Sequence, residues 1–436
     1  MGIENQRIVN AEIRAFELSE PGKHHFFGYY NKQIWDLTGS RVLALQCDFP
    51  SKDLQPSDVA SVGYFDLTNG NKFKKLSETT SWNWQMGAQL QWLEATQCRD
   101  IIFNIRRPLN DGGLYPGFGS RVVNVETGEA REYNVPVYVV APSSEWAICV
   151  DYRRYNATHP TIGYVDELEP VELALAPSDD GMHILDLASG ETKLVLSLAD
   201  LNTNQPVASM DGAIHWISHP EIAQDSKRIL FLHRWTKRIE DEFCWLHRLY
   251  SVNPDGTDLC LLECSDHPIP QLDDAYDADA NSVFDYEKSE YQISHPTWVN
   301  PKEIMVWGPH KGEIHYNLYT DRSDRVEFIG TQVLTENGHM TYSPNGRFIL
   351  SDTYPDDATS VRTLFIYDTH TGARYDIGRF WTDPNLGKVN RCDLHPRWRR
   401  DGRAVCIDSI HTEARNLYLI EVGDMLDQIQ AEGDKA

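Results

Sequence analysis

Apolar and polar positions follow one pattern that recurs seven times along this chain. Each copy begins with a short approach to an aromatic or Pro residue, followed by a tight turn and a run of β-branched residues. The period of roughly 40–60 residues is typical of a repeat architecture. The clearest copies are residues 219–222 before 229–231, 295–298 before 304–306, 339–342 before 348–350, and 395–398 before 404–406; fainter copies are 32–35 before 42–44, 89–92 before 101–103, and 137–140 before 147–149.

A further strand follows each copy, and most of these further strands end in a turn signature with Gly. Short alternating strands joined by such turns are hairpin signals. Radial repetition of two-hairpin units protects the strand edges, so the pattern predicts an all-β chain folded as a seven-bladed β-propeller. We expect a single domain over residues 1–436, with a short lead at 1–22 and a tail at 423–436 that holds a short helix. The turn signatures are Asn69-Gly70, Thr127-Gly128, Ser189-Gly190, Asp255-Gly256 and Thr371-Gly372.

Composition narrows the class of protein. The 436 residues carry a formal charge of -25, which argues against a nucleic-acid or anionic-membrane partner because either would require a basic face. No apolar run reaches the length of about 18 residues that a spanning helix requires. The polar N-terminus lacks the apolar core of a secretory signal, and the eight cysteines lie far apart. These features predict a soluble cytoplasmic protein with an acidic loop or insertion at 266–290.

The ends of the second strands predict a cationic pocket. In a propeller blade the second strand returns to the face at which the first strand starts, so these ends should meet at one mouth of the channel. Most of them carry cationic or proton-active side chains, despite the negative charge of the whole chain. They are Asp48, Arg106-Arg107, Tyr152-Arg153-Arg154, His233-Arg234, His310-Lys311, Tyr354 and His411.

Four histidines occupy the same position in four blades: His219, His295, His339 and His395. Imidazoles that converge from adjacent blades present neutral nitrogen ligands to a divalent ion. Asn390 and Asp393, just ahead of His395, would complete the set of ligands. The alternative is that a His at a strand start hydrogen-bonds a neighbouring blade, as in propellers without catalytic activity.

His233 and Arg234 form a second candidate pair. A guanidinium beside a substrate carboxylate would acidify the neighbouring carbon, and an imidazole would take the proton. Tyr152 would supply a phenolic acid, with Arg153 and Arg154 as carboxylate clamps. The alternatives are a surface ion pair of Arg234 with Glu240 or Asp241 and a solvent-facing basic turn for residues 152–154.

Two further sets of residues complete the candidate list. The first set contains the weaker substrate-binding candidates Arg106, Lys32 and His219. The segment at 23–30 is dense in histidine and aromatic residues, which either stack against sugar rings or form the packing seam that closes the ring. Motifs of other enzyme classes are absent from the sequence: it has no G-x-S-x-G, no P-loop and no C-x-x-C.

These short motifs resemble the oligogalacturonate lyase family, seven-bladed propellers that split oligo-uronides by β-elimination, and more distantly the propeller-type ulvan lyases. The resemblance is strongest from about residue 216 to the C-terminus. It depends on residues 218–221 followed by 231–233, on 294–298, on 338–340, and on His395-Pro396 with the strand at 417–419. Before residue 216, only Asn31-Lys32 with Trp35 and the spacing of the propeller repeats match the family.

The resemblance implies that His233 is the catalytic base and that His295 and His395 are manganese ligands. Asn390 stands where the family has a Gln ligand, and Asp393 stands where the family has a His. The implied function is a lyase for short acidic oligosaccharides that uses Mn²⁺, with Zn²⁺ or Ca²⁺ as alternatives, and acts as a monomer or homodimer.

Two other function classes compete with a lyase. The first is a binding or scaffold propeller of the TolB type, for which convergent histidines would serve no purpose. The second is the propeller of a serine peptidase, against which the missing nucleophile motif counts. Metal binding separates the lyase from the binding propeller.

Overall fold

The structure is a computed structural model that describes residues 6–166, 173–237, 239, 245–264 and 293–433. The described residues form seven sheets, antiparallel apart from the pairing of β1 with β26, which confirms the all-β, seven-bladed β-propeller. The predicted acidic insertion at 266–290 lies outside the described residues. The chain divides into two compact units, residues 1–134 with 330–436 (unit 1) and residues 135–329 (unit 2). The prediction of a single domain over 1–436 stays a prediction.

Unit 1 contains four of the sheets. Its strands are β1 (Arg7–Asn10), β2 (Phe16–Leu18), β3 (His24–Phe26), β4 (Arg41–Cys47), β5 (Ala60–Asp66), β6 (Lys72–Thr79), β7 (Gln91–Leu93), β8 (Asp100–Arg106), β9 (Phe118–Asn124) and β10 (Ala130–Tyr133), and then β23 (Thr341–Tyr342), β24 (Phe348–Asp352), β25 (Val361–Asp368), β26 (Ala373–Trp381), β27 (Arg397–Trp398), β28 (Ala404–Ser409) and β29 (Asn416–Glu421).

The sheets of unit 1 have the orders β3-β4-β5-β6, β10-β9-β8-β7, β1-β26-β25-β24-β23 and β2-β29-β28-β27. The predicted N-terminal lead therefore contributes two strands: β1 pairs in parallel with β26, and β2 pairs with β29. A 3₁₀ turn spans Glu94–Thr96, and the helix α3 (Gly423–Gly433) confirms the short helix expected in the tail.

Unit 2 contains the other three sheets. Their strands are β11 (Val139–Val140), β12 (Trp146–Cys149), β13 (Gly181–Asp186) and β14 (Thr192–Ser197); β15 (Ile214–Ile222), β16 (Ile229–Thr236), β17 (Leu246–Val252) and β18 (Cys260–Cys264); and β19 (Ser294–Asn300), β20 (Glu303–His310), β21 (Glu313–Thr320) and β22 (Val326–Ile329). Two helices, α1 (Tyr152–Thr158) and α2 (Leu198–Thr203), and a 3₁₀ turn at Ala208–Met210 stand outside the sheets.

Stacking of sheet on sheet explains the hydrophobic runs. Central strands such as β16 are buried along almost their whole length where neighbouring sheets of the same unit pack face to face. In unit 1 the sheets of β24–β26 and β27–β29 share one core, and in unit 2 the sheets of β15–β17 and β19–β21 share another. The Gly128 and Gly372 turns adopt φ of 75° and 72°, a region that L side chains rarely occupy. No helix of the described ranges is long and apolar enough to cross a membrane.

A buried histidine in unit 1 predicts acid sensitivity. The Nε2 of His25 lies 2.9 Å from the amide nitrogen of Gln46, and its Nδ1 lies 3.2 Å from Oδ1 of Asn416. This network assigns the proton to Nδ1 and leaves Nε2 as an acceptor, so a second proton would face an N–H group. Burial lowers the pKa of His25 to about 4, although its hydrogen bond to Asn416 opposes the shift.

We expect this histidine to destabilise the fold in acid. Its stabilising contribution is complete above the unfolded pKa of about 6.5 and is lost as the pH falls towards 4, because the unfolded chain binds the proton more tightly. The shift corresponds to about 3 kcal/mol. Thermal unfolding measured between these pH values should show a smaller acid loss for His25→Gln than for the wild type. Parallel pH profiles for the two proteins would contradict the assignment.

Candidate metal centre and flanking residues

Three predicted ligands come together in unit 1. One ligand atom from each of His339, Asp393 and His395 lies within 4.8 Å of the others, and all three residues are buried. The imidazole rings of the two histidines are 4.4 Å apart and nearly perpendicular. We call these three residues the His–Asp–His group. Two imidazoles and a carboxylate form a donor set that suits Mn²⁺ or Zn²⁺.

The starts of two neighbouring sheets place this group. His339 lies just before β23, and Asp393 and His395 lie just before β27. Asp393 and His395 are two residues apart in non-helical chain, a spacing that directs their side chains to the same side. His395 has φ of 43° ahead of Pro396, an unusual conformation for a residue other than Gly.

Asp352, at the end of β24, orients His339. Its Oδ1 accepts the backbone N–H of His339 at 2.8 Å, and its two oxygens lie 2.9 and 3.1 Å from His339 Nδ1. A carboxylate on one imidazole nitrogen sets the tautomer and directs the other nitrogen towards a metal. Sequence reasoning missed this residue, because only the pairing of β23 with β24 brings it to His339.

The Asp352→Asn variant is expected to bind Mn²⁺ about 10–100-fold more weakly than the wild type, because the orienting charge on His339 is lost. Isothermal titration calorimetry with Mn²⁺ measures the affinity. Asp357→Asn, which changes an exposed aspartate in the same unit, serves as the matched control. Equal Mn²⁺ affinity of wild type and Asp352→Asn would show that Asp352 does not support a ligand.

Two arginines already neutralise Asp393. Arg362 Nη2 lies 2.7 Å from Oδ1 of Asp393, and Arg391 Nε lies 2.8 Å from Oδ2. Burial raises the pKa of Asp393, but the charges of Arg391 and Arg362 outweigh it and hold that pKa well below its usual value. The carboxylate is therefore ionised, as a metal ligand must be.

His395 has a free ligand atom. Its Nε2 is buried without a hydrogen bond in the part of the chain that the structure describes, and it lies 3.9 Å from Oδ2 of Asp393. Burial, and next the proximity of His339, hold the pKa of His395 well below its usual value, so the ring is neutral. A buried, neutral imidazole nitrogen without a partner is what a metal ligand presents before the ion binds. The three residues therefore fit a divalent ion.

Tyr29 and Tyr30 border the His–Asp–His group. The Tyr29 ring lies 5.1 Å from that of His395, and the Tyr30 ring lies 5.4 Å from that of His339. Arg397 holds this segment by donating to the backbone carbonyls of Gly28 and Tyr29. Of the two interpretations of segment 23–30, packing accounts for Phe26, which contacts Trp82 and Trp84.

Asn390 lies on the same segment as Asp393. Its Nδ2 donates to Asp53 at 3.1 Å, and its Oδ1 is buried without a hydrogen bond among the described residues. That oxygen is chemically able to ligate a hard cation. Asn390 as a metal ligand stays a prediction.

His219 and His295 lie in unit 2 and share a local geometry. Each has a preceding serine whose Oγ lies near its Nδ1, Ser218 for His219 and Ser294 for His295. Their φ values are 53° and 55°, and Gln89 at the corresponding position has the same conformation, with φ of 53°. The left-handed conformation is therefore a feature of the strand start and does not require histidine. Substrate binding by His219 and metal binding by His295 stay predictions.

His233, on β16 in unit 2, is completely buried. Its Nε2 lies 2.8 Å from Nδ1 of His215, whose Nε2 lies 3.4 Å from the carbonyl of Met210. Because His215 must donate to that carbonyl, its Nδ1 accepts from His233, and the network assigns the lone pair of His233 to Nδ1. Nδ1 has no hydrogen bond among the described residues. Burial, and next the charge of His215, hold the pKa of His233 well below its usual value, so this atom is unprotonated at neutral pH.

Arg234 contacts a histidine that sequence reasoning missed. Its Nη1 lies 3.2 Å from Nδ1 of His159 and 3.3 Å from Oγ of Ser218, and its guanidinium lies 4.9 Å from the centre of the Trp245 ring. The surface ion pair considered for Arg234 does not agree with its burial, since only 2% of the residue is exposed. The acidic residues proposed for that pair, at 240 and 241, lie outside the described residues.

Residues 152–154 begin helix α1 instead of ending a strand, which corrects the strand assignment. Asp151 caps the helix by accepting the backbone N–H of Arg153. Tyr152 is buried, stacks on Tyr164 at 4.1 Å, and donates to the carbonyl of Val137. Burial first, and then Tyr164, raise its pKa well above the usual value, which makes it a poor proton donor at neutral pH.

The arginines of α1 have structural partners. Arg154 binds Asp180 at 2.9 Å and donates to the carbonyls of Ala174 and His215. Arg153 lies 3.5 Å from Asp166. Burial of Tyr152 and Arg154 does not agree with a solvent-facing basic turn, and their contacts do not favour a role as phenolic acid or clamp. All three catalytic assignments stay predictions.

Arg106 and Lys32, two of the weaker substrate-binding candidates, lie in unit 1. Arg106 ends β8 with its guanidinium 4.5 Å from the centre of the Phe118 ring. Lys32 is 5% exposed, and its Nζ lies 3.3 Å from Oδ1 of Asn31. Substrate binding by either residue stays a prediction.

A seven-bladed propeller with a buried His–Asp–His group is the class that fold and site define. Neither a family model nor a curated protein matches the chain. Its structure is similar to an oligogalacturonate lyase in complex with manganese, with a TM-score of 0.62 and 14% identity over 95% of this chain and 96% of the other. It is also similar to an oligogalacturonate lyase from Vibrio parahaemolyticus, with a TM-score of 0.61 and 14% identity over 95% of this chain and 97% of the other.

A TolB from Acinetobacter baumannii matches with a TM-score of 0.36 and 9% identity over 85% of this chain and 78% of the other, which is too remote to carry an argument. The resemblance to oligogalacturonate lyases inferred from sequence is thus confirmed as a structural likeness. At 14% identity it establishes the fold and leaves the reaction to the residues of the site.

Proposed function

We propose that this protein is a lyase that cleaves short uronic-acid oligosaccharides by metal-assisted β-elimination. The observation that carries the proposal is the buried His–Asp–His group, with an unpartnered imidazole nitrogen on His395. A purely binding propeller has no need for such a donor set. The likeness to two oligogalacturonate lyases, one of them in complex with manganese, supports the choice of reaction.

His339, Asp393 and His395 would hold the ion, with Asn390 as a further candidate ligand, while metal binding by His295 in unit 2 stays a prediction. Mn²⁺ is the leading candidate, with Zn²⁺ and Ca²⁺ as alternatives. When bound, the ion supplies positive charge that stabilises a uronate carboxylate as the adjacent carbon loses its proton. Asp352 would keep the Nε2 lone pair of His339 directed at the ion.

In unit 2, His233 is the base and Arg234 the carboxylate partner. The lone pair on Nδ1 of His233 takes the C5 proton, while His215 holds the other ring nitrogen. Arg234 neutralises the uronate carboxylate, which lowers the pKa of the C5–H bond. The C4 oxygen then departs with a proton donated by a Tyr or a water, and a double bond forms between C4 and C5, so that no water is consumed overall.

The remaining expectations belong to the same proposal. The substrate is a small acidic oligosaccharide, which agrees with a chain of charge -25 only if a local cationic site overcomes that charge. We propose a cytoplasmic enzyme without nucleic-acid or membrane partners, acting as a monomer or homodimer. Arg106, Lys32 and His219 are the proposed substrate contacts.

Product masses test the reaction class. After incubation with oligogalacturonides and Mn²⁺, mass spectrometry should find two fragments whose masses add up to that of the substrate. Fragments that together contain one additional water would identify a hydrolase and reject the proposal. An intact substrate, from protein that also fails to bind Mn²⁺ or Zn²⁺, would favour the binding propeller.

A further inference from the structure

Asp393 has more positive charge around it than a metal ligand requires. Arg362 and Arg391 each bind one of its oxygens, and the other carboxylate of the cluster, Asp352, binds His339. Two carboxylates and two guanidiniums therefore balance before any ion binds. A divalent ion would leave the buried cluster with an excess of two positive charges, which is costly in a low-dielectric interior.

The two arginines differ in how far their side chains are exposed. Arg362 is 2% exposed, extends from β25 and lies near the carbonyl of Thr353. The side chain of Arg391 is 21% exposed, on a segment outside the strands. The backbone carbonyl of Arg391 accepts from Gln85 Nε2 at 3.0 Å and from Arg415 Nη2 at 2.8 Å. These contacts anchor the backbone, while the guanidinium pairs with Asp393 and lies 5.8 Å from the centre of the Tyr354 ring with part of the side chain exposed.

We propose that Arg391 is a positioning residue that couples metal binding to the recognition of an anionic ligand. Without metal, its guanidinium pairs with Asp393. When a divalent ion binds the His–Asp–His group, repulsion weakens that pair, and the guanidinium turns to the carboxylate of an incoming acidic sugar. The inference rests on the metal site of the proposed function and adds the residue that selects a carboxylate ligand.

The chemistry of arginine suits this exchange. Its planar guanidinium binds a carboxylate through two parallel N–H donors, so the Asp393 carboxylate and a uronate carboxylate compete for one geometry. A uronate also restores the charge balance, because it brings a negative charge to the cluster. A neutral sugar would do neither.

The first test is Mn²⁺ binding by Arg391→Gln, with the metal alone as the probe. Because the competing charge is removed, calorimetry should show Mn²⁺ affinity at least about tenfold higher than in the wild type. Arg391→Lys keeps the charge and should stay close to the wild type. Arg379→Gln, at an exposed position on β26 in the same unit, is the matched control and should not change the affinity.

The second test measures coupling with galacturonate. Binding free energies are reciprocal, so Mn²⁺ should raise galacturonate affinity by the same factor by which galacturonate raises Mn²⁺ affinity. This coupling factor should fall about fivefold or more in Arg391→Gln and should be unchanged in Arg379→Gln. A purely structural role would leave the coupling factor unchanged. Arg391→Met, which keeps about the length of the aliphatic part of arginine, repeats both tests if the glutamine variant folds poorly.

The outcomes separate the two claims. The inference is overturned if the wild type binds Mn²⁺ and both Arg391→Gln and Arg391→Met bind it with equal or lower affinity. The metal site would then still stand. Absence of Mn²⁺ binding in the wild type and in both variants overturns both the inference and the metal site. Tighter Mn²⁺ binding together with weaker coupling supports the inference.

Discussion

The His395→Ala variant is expected to lose Mn²⁺ binding and metal-dependent activity together. His395 supplies one of three clustered ligand atoms, and its Nε2 has no other hydrogen bond among the described residues. Loss of a direct ligand should exceed the roughly 10–100-fold effect that outer partners of a metal have. We therefore expect Mn²⁺ affinity to fall by more than about 100-fold.

Calorimetry with Mn²⁺ measures the loss, and circular dichroism verifies that the variant folds. Truncation leaves a cavity that costs about 2–4 kcal/mol in a packed core, which a large propeller should tolerate. His370→Ala, at an exposed turn of unit 1, is the matched control. Mn²⁺ affinity within threefold of the wild type for folded His395→Ala would exclude the His–Asp–His group as the metal site (roughly the resolution of such a comparison).

The second large effect is expected from His233→Ala. If Nδ1 of His233 takes the C5 proton, turnover should fall by about 10²–10⁴-fold, the usual contribution of a general base. Mn²⁺ affinity should stay unchanged, because no predicted ligand changes. His315→Ala, at a half-buried position in unit 2, is the matched control and should keep wild-type turnover.

The pH profile distinguishes a base from a structural histidine. Burial holds the pKa of His233 well below its usual value, so the active, unprotonated form persists through neutral pH. Turnover should therefore stay level at neutral pH and fall only in acid, where Nδ1 becomes protonated. His215→Asn should shift this acid limb, since the hydrogen bond that sets the tautomer is lost. Turnover of His233→Ala close to that of the wild type would show that another group is the base.

The blades were predictable because their signal is local. β-branched runs and glycine turns repeat within each unit of chain, and β15–β17 and β19–β21 lie where that pattern indicates. Three of the predicted metal ligands also come together, since the starts of β23 and β27 lie beside each other in unit 1. The start of α1 was missed: seven residues are too few for a helical period, and only Asp151 as a cap marks it.

The surroundings of the site were not predictable from a single sequence. Arg362 reaches Asp393 from β25, and Tyr29 reaches His395 from the opposite end of the chain. Such contacts depend on which strands become neighbours, which no local pattern specifies. His159 likewise meets Arg234 only because α1 packs near β16. The residues that adjust the charge of a site can therefore be identified only from the structure.

The most direct test of metal-assisted β-elimination is the ultraviolet absorbance of a 4,5-unsaturated uronate. The protein is incubated with a panel of short uronic-acid oligosaccharides and Mn²⁺, beside a sample treated with EDTA. We expect absorbance to rise with at least one substrate, to disappear with EDTA and to return when Mn²⁺ is added back. No rise across the panel, from folded protein that binds no metal, would contradict the account and favour a binding propeller.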